Sequence, residues 1–359
     1  MEIFSFFLPF AIACIVTAIT VPFTIKWAKR VGLADDPKTH KHPAILHVKP
    51  IPRAGGIPLF LGVLVASIIF LPLTKLTITL FIASLITLAI GTLDDKYDIS
   101  PYVRFGINIL CGLVVISGGV GIPFITNPFG GILHLDALRL TFDFLGHHSI
   151  IVYSDLLSLL WIVWVMNMLN WSKGVDGQMP GIVAISSIVI GILSLRFPLS
   201  DPTTHIAATL SFIISGAAIG FLFYNFYPAK IFPGYGATFL YLLLSVVSVL
   251  STAKLATAIL VMGIPMIDGL FTIIRRILSG RSPFWHDKKH LHHLLLRLGF
   301  SQRQIALFYW ILSAILGAAS LTLSSRGKLF AIVMLLVLVG GGLLFLHITL
   351  AQKDEKDSI

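Results

Sequence analysis

The sequence predicts an all-α polytopic membrane protein of about eleven transmembrane helices, N-terminus outside and C-terminus cytoplasmic. Three observations carry this. Hydrophobic residues make up 56% of the 359 residues and charged residues 12%, about half the charged share of a soluble domain. Eleven apolar runs recur along the chain, most of them near the roughly 20 residues that a helix needs to cross hydrocarbon. Lys and Arg divide unevenly between alternating loops, 20 in one set and 6 in the other, and the positive-inside rule puts the basic set in the cytoplasm.

The first run, Ile3–Ile25, follows Met1–Glu2 with no basic n-region or small-residue cleavage site, so it reads as a retained span. Ala54–Leu73, Leu76–Leu93 and Val103–Gly121 follow as the second to fourth helices. The segment at about 122–150 is the long external loop, and its alternating stretch "ILHLDALRL" predicts a hairpin or an interfacial segment. Ile151–Leu169, Pro180–Leu195, Ile206–Phe226, the short Thr238–Leu250, Leu255–Ile277, Ile305–Leu323 and Leu329–Leu350 complete the set. The cytoplasmic loops then fall at about 26–53, 94–102, 170–179, 227–237 and 278–304, within a single integral-membrane domain. Cys14 and Cys111 lie in apolar runs and read as small buried hydrophobes. The net charge of +10 belongs to these basic loops rather than to a nucleic-acid surface.

The unusual polar clusters share the predicted cytoplasmic face. "GTLDDKYDIS" ends an apolar helix in two adjacent carboxylates, Asp94 and Asp95. A solvated helix end is the plain reading. Carboxylates at the negative end of a helix dipole, however, call for a nearby cation such as Lys96, Arg104 or a divalent metal. "NMLNWSKGVDGQ" carries Asn170, Lys173 and Asp176, and its Gly-Val-Asp-Gly is also ordinary turn chemistry. "RSPFWHDKKHLHH" places His290, His292 and His293 beside Asp287, where imidazolium, Lys and Arg suit a phosphate and a basic juxtamembrane segment is the alternative. Asp268, inside "GIPMIDGLFTIIRR", reads as a functional acid or as the partner of Arg275 two turns on.

Taken in order, "HVKPIPRAGG" (His47–Gly56), "GTLDDKYDIS" and "GIPMIDGLFTIIRR…GRSPFWHDKKHLHH" resemble the polyprenyl-phosphate N-acetylhexosamine-1-phosphate transferases of glycosyltransferase family 4. The branch that starts O-antigen, teichoic-acid and related glycans is the more similar. The resemblance implies transfer of a sugar-1-phosphate, GlcNAc-1-phosphate foremost, from a UDP-N-acetylhexosamine to polyprenyl (undecaprenyl) phosphate, with release of UMP. It also implies Mg²⁺ or Mn²⁺, a multi-pass place in the bacterial inner (plasma) membrane, a cytoplasmic active site and a homodimer. Asp94, Asp95 and Asp176 would be catalytic. His47, Arg53, Arg104, Asn170, Lys173, Asn225, Asp287, His290, His292 and His293 would bind substrate, and Asn170 with Asp176 would hold the metal.

Two positions depart from that pattern. Lys173 and Tyr235 stand where the family carries Asp, and the second of these is its metal ligand. A phenol with a pKa near ~10 is a poor Mg²⁺ ligand. Either Lys173 supplies part of the metal's charge in an active transferase, or the chain is a degenerate paralogue that binds polyprenyl phosphate or nucleotide without turnover. A transporter, the reading from another class, would spread polar residues through the bilayer depth and show internal repeats.

Overall fold

The computed structural model describes residues 2–36, 49–127, 130–143, 147–250, 255–285 and 287–357. His47 lies outside the described residues. The chain is a bundle of helices with three small antiparallel hairpins. Every one of the eleven predicted apolar runs is helical: α1 (Glu2–Arg30), α2 (Gly56–Phe70), α3 (Lys75–Tyr97), α4 (Pro101–Ser117), α5 (Val152–Trp171), α6 (Gln178–Ser194), α7 (Pro202–Asn225), α8 (Thr238–Leu250), the broken pair α9 (Leu255–Val261) and α10 (Gly263–Leu278), α12 (Gln302–Thr322) and α13 (Ser325–Asp357). A short α11 (Leu291–Arg297) was not foreseen. Among the described residues six helices are long and apolar enough to cross a membrane, or seven with the broken pair as one span.

The ninth predicted helix is bent by 83° between α9 and α10. Pro265 explains the break. As the third residue of α10 it has no N–H to give to Val261 O, so the hydrogen-bond ladder is interrupted at Met262, which caps the new helix.

Burial runs from the inside out. Every residue of α8 from Thr238 to Val249 is buried, as expected of a helix that is apolar all round and sits at a core. At the other extreme α13 buries little beyond Leu343 and Leu350. The α1–α7 contact is close because α7 presents Gly216 and Gly220, whose missing side chains leave room for the Phe10 and Cys14 carbonyls. Small residues at a membrane helix interface act this way, since the packing itself drives association. Several buried hydroxyls return to their own helix: Thr87 donates to Ala83 O, Ser158 to Ser154 O and Ser194 to Ile190 O. A hydroxyl out of reach of water lowers the cost of its burial by such a bond.

The hairpin expected near 122–150 is two hairpins, β3 (Phe124–Thr126) with β4 (Ile132–His134) and β5 (Arg139–Asp143) with β6 (His147–Ile151). A further one, β1 (Ala34–Asp35) with β2 (Ile51–Pro52), closes the first predicted cytoplasmic loop.

Candidate active site

All five predicted cytoplasmic loops contribute to one cavity of about 1130 Å³. Its lining includes Arg53, Asp94, Asp95, Arg104, Asn170, Lys173, Asp176, Asn225, Tyr235, Asp287, His290, His292 and His293. Every described residue to which the resemblance assigns a catalytic or substrate-binding role therefore lines the same space, whereas Asp268, Arg275 and Lys96 do not.

The acid pair is not a solvated helix end. Both side chains are 2% exposed. The cause is local. Asp98 takes a left-handed conformation at φ 49° and caps α3, which an Asp tolerates better than most residues. The chain then folds back, Ile99 N–H donates to Asp94 Oδ1 at 3.0 Å, and Pro101 starts α4 at the position proline prefers. One turn later Arg104 Nη1 reaches both Asp94 oxygens, at 3.1 and 3.0 Å.

Asp95 is committed to the loop before α8. Its Oδ1 and Oδ2 accept from Tyr235 N–H at 2.9 and 3.0 Å, and Arg53 Nε lies 3.5 Å from Oδ1. Gly234 allows this approach. Its φ is +67°, and a Cβ there would overlap the Asp95 carboxylate. Lys173 Nζ donates to Gly234 O at 2.9 Å. Burial pulls its ammonium down, against the field of Asp95, to a pKa of about 8. Tyr235 lies with Arg104 and Lys173 at 5.3 and 5.5 Å from its ring centre, and Asn108 Nδ2 donates to its hydroxyl at 3.2 Å. Burial pushes that phenol up to about 12, so it is no phenolate near neutral pH.

The turn 173–177 is pinned from three sides. Asp176 Oδ2 accepts from Ala229 N–H at 2.9 Å, Asp176 N–H donates to Gln302 Oε1 at 3.1 Å, and Gly177 N–H donates to Asn225 Oδ1 at 3.1 Å. Asn225 also gives its amide to Ile231 O at 2.8 Å, so both ends of this side chain hold loops together. Asn170 Oδ1 is buried and accepts nothing among the described residues.

The opposite wall is the histidine cluster. His290 Nδ1 is 3.0 Å from Asp268 Oδ2, and Leu291 N–H donates to Asp268 Oδ1 at 2.9 Å. Asp268 thus pairs with His290 and not with Arg275, which binds Asp287 at 2.7 Å. A carboxylate on Nδ1 fixes that proton and leaves Nε2 as the acceptor. The rings of His290 and His292 stack at 5.6 Å, and those of His292 and His293 lie 4.2 Å apart. Burial and then His290 lower His293 to about 4, while burial and its two neighbours push His292 well down. These two rings are neutral near pH 7, where the sequence suggested imidazolium. Asp287 is raised by burial, but Arg275, Lys289 N–H and Arg276 outweigh that and hold it at about 2. Its carboxylate is a clamp on the loop.

Asp268 is the residue that sequence reasoning placed least well. Asp268→Asn takes from the His290 ring the partner that orients it, and kcat/KM should fall at least about tenfold, the scale for a carboxylate behind a functional imidazole, while the protein still melts cooperatively. Unchanged kinetics in that variant would reduce the pair to packing. Gln302, which holds Asp176 from α12, gave no signal in the sequence at all.

The site does not fit a resident Mg²⁺ or Mn²⁺. Such ions need oxygen donors, with one or two carboxylates free to ligate. Of the two residues that the resemblance assigns to the metal, Asp176 gives Oδ2 to Ala229 N–H and Asn170 offers one uncharged amide oxygen; Asp94 and Asp95 are taken up by cations and amides, Tyr235 is a neutral phenol, and Lys173 brings an ammonium to the acids. Among the described residues no group of three or more His, Cys, Asp or Glu side chains is placed to hold a metal.

Comparison with known proteins agrees with the architecture. The glycosyl transferase family 4 profile matches residues 77–252. The chain is 31% identical to a probable undecaprenyl-phosphate N-acetylglucosaminyl 1-phosphate transferase of Bacillus subtilis, over 92% of this chain and 88% of that protein. It is 30% identical to the decaprenyl-phosphate N-acetylglucosaminephosphotransferase of Mycobacterium tuberculosis, over 91% of this chain and 85% of the relative. It is 28% identical to the undecaprenyl-phosphate alpha-N-acetylglucosaminyl 1-phosphate transferase of Escherichia coli K12, over 84% and 79%. With near full-length similarity and the sequence motifs gathered around one cavity, the chain belongs to glycosyl transferase family 4, among the polyprenyl-phosphate N-acetylhexosamine-1-phosphate transferases.

Proposed function

We propose that this chain transfers GlcNAc-1-phosphate from UDP-GlcNAc to a polyprenyl phosphate, undecaprenyl phosphate in the first place, and releases UMP. The product would begin a cell-surface polysaccharide of the lipopolysaccharide or teichoic-acid kind. The observation that carries the reading is the single cavity shared by all five basic-side loops. A lipid phosphate is confined to the bilayer and a sugar nucleotide arrives from water, so they meet at a membrane surface. By the distribution of Lys and Arg, that surface is the cytoplasmic face of the inner membrane. The same count supports eleven spans in one integral domain, with the N-terminus outside and the C-terminus inside.

In this reading a lipid-phosphate oxygen attacks the β-phosphorus of UDP-GlcNAc. One P–O bond forms, the pyrophosphate P–O bond breaks, and UMP carries away the electron pair. A phosphate monoester has its second pKa near ~6 and is already dianionic at neutral pH. The reaction therefore needs in-line positioning and charge neutralisation more than a strong base. Arg53, Arg104 and Lys173 supply positive charge, and Asp94 and Asp95 hold those cations in place. The neutral His292 and His293 suit the sugar or base better than a phosphate. Asn170 Oδ1, lacking a donor, is placed to accept one from the ligand. Asp176 fixes the turn that carries Lys173.

The purified protein, given UDP-GlcNAc and undecaprenyl phosphate, should release UMP and form a lipid-linked diphosphate sugar. Binding of UDP with no UMP release, in Mg²⁺, Mn²⁺ or chelator, would instead establish a binding paralogue.

A further inference from the structure

At the root of the cavity two buried carboxylates face three cations, and a third carboxylate, Asp35, lies 3.7 Å from the outermost of these, Arg53. Asp94 is spanned by Arg104, and Asp95 accepts from Tyr235 N–H with Arg53 at 3.5 Å. Lys173 is the third cation, attached to Gly234 O and lying within the electrostatic reach of both acids. We infer that Lys173 is a built-in counter-cation that lets the cavity bind the diphosphate of a sugar nucleotide without a divalent metal ion. This rests on the transferase reading and adds to it the charge that holds the substrate.

The geometry supports it in several ways. The carboxylate oxygens of Asp94 and Asp95 already accept N–H groups, so an ion there would have to displace Arg104 or the Tyr235 amide. With Asp35 at 3.7 Å from Arg53, three acids already balance three bases, and a divalent ion would bring two uncompensated positive charges into a medium of low dielectric. A lysine ammonium carries three protons. The Gly234 carbonyl takes one at 2.9 Å and anchors the group, which leaves donors for phosphate oxygens. Arg53, with a side chain 34% exposed, and Arg104, at 17%, stand on the open side of the same cluster, where guanidinium can take a phosphate in bidentate fashion. Tyr235 fills the space between Arg104 and Lys173 with a neutral ring, so the two cations share a face without meeting.

The test is equilibrium binding of UDP and, separately, inorganic pyrophosphate to the purified full chain, in Mg²⁺ and in EDTA. UDP affinity should change less than about twofold between the two buffers. Lys173→Met should weaken UDP about tenfold or more, the scale of a charge-assisted contact, with no recovery in Mg²⁺, and Lys173→Arg should retain binding. Affinity in the parent should also decline as pH rises through about 8, where Lys173 loses its proton in the field of Asp94, Asp95, Arg53 and Arg104. Lys173→Arg, always charged, should lack that decline. UDP binding that vanishes in EDTA and returns with Mg²⁺ would overturn the inference and leave the transferase reading intact. Pyrophosphate binding in EDTA without UDP binding would uphold the counter-cation and remove the nucleotide reading. Failure of both probes in both buffers would end both.

Discussion

Asp95→Asn should lower UMP release about a thousandfold, the scale seen when one preorganised electrostatic group is lost. Asn keeps the size of the side chain and takes away its charge. Its single carbonyl oxygen can still accept from Tyr235 N–H, but its amide opposes Arg53. Arg53 and Lys173 then lose a shared counter-ion, and the loop from Gly234 loses half its anchor. A pair at a solvated helix end would cost about 1 kcal/mol or less. Arg53 is one-third exposed and keeps Asp35 at 3.7 Å, so its charge is not stranded and the melting temperature should fall by about 5 °C or less. Initial rates and a thermal melt on the same preparation separate the two effects. Undiminished UMP release in a protein of unchanged melting temperature would show that Asp95 neither holds the site nor serves it.

The largest qualitative change should come from replacing two residues at once. Lys173→Asp with Tyr235→Asp turns a cluster of three acids (Asp35, Asp94, Asp95) and three bases into one of five acids and two bases. Such a cluster needs a divalent ion, and two of its carboxylates are new and uncommitted. UDP binding by the double variant should fall about tenfold or more in EDTA and return in Mg²⁺, whereas the parent stays indifferent. Rates should acquire the same dependence. A double variant as indifferent to chelator as its parent would mean that these two positions do not face the phosphates.

Much of this was legible in the sequence. Apolar runs gave the helices, because hydrocarbon requires both length and composition. The charge census grouped the loops, and the grouped loops do line one cavity. What could not be read were the contacts made across long separations. Asp95 looked like a surface residue because nothing local indicates that the loop at Tyr235, 140 positions later, folds over it. The histidines read as cationic because they lie in a basic stretch that suits a phosphate, yet burial, the neighbouring imidazole of His290 and Lys288 all oppose a positive charge on His293. Asp268 and Arg275 share a helical spacing, yet each finds a stronger partner on the loop that follows. The bend before α10 hid inside a continuous apolar run, since hydropathy is blind to a proline's missing donor.

The enclosed helix α8 has a consequence for where the chemistry sits. Thirteen residues rise about 20 Å, roughly 10 Å less than the hydrocarbon slab around them. Gly234 and Tyr235 adjoin its first turn, so the loop that folds over Asp95 makes up part of the span that the helix does not. Non-helical backbone in that place is tolerated only where protein encloses it or a water-filled cavity adjoins it, and this loop lines the cavity.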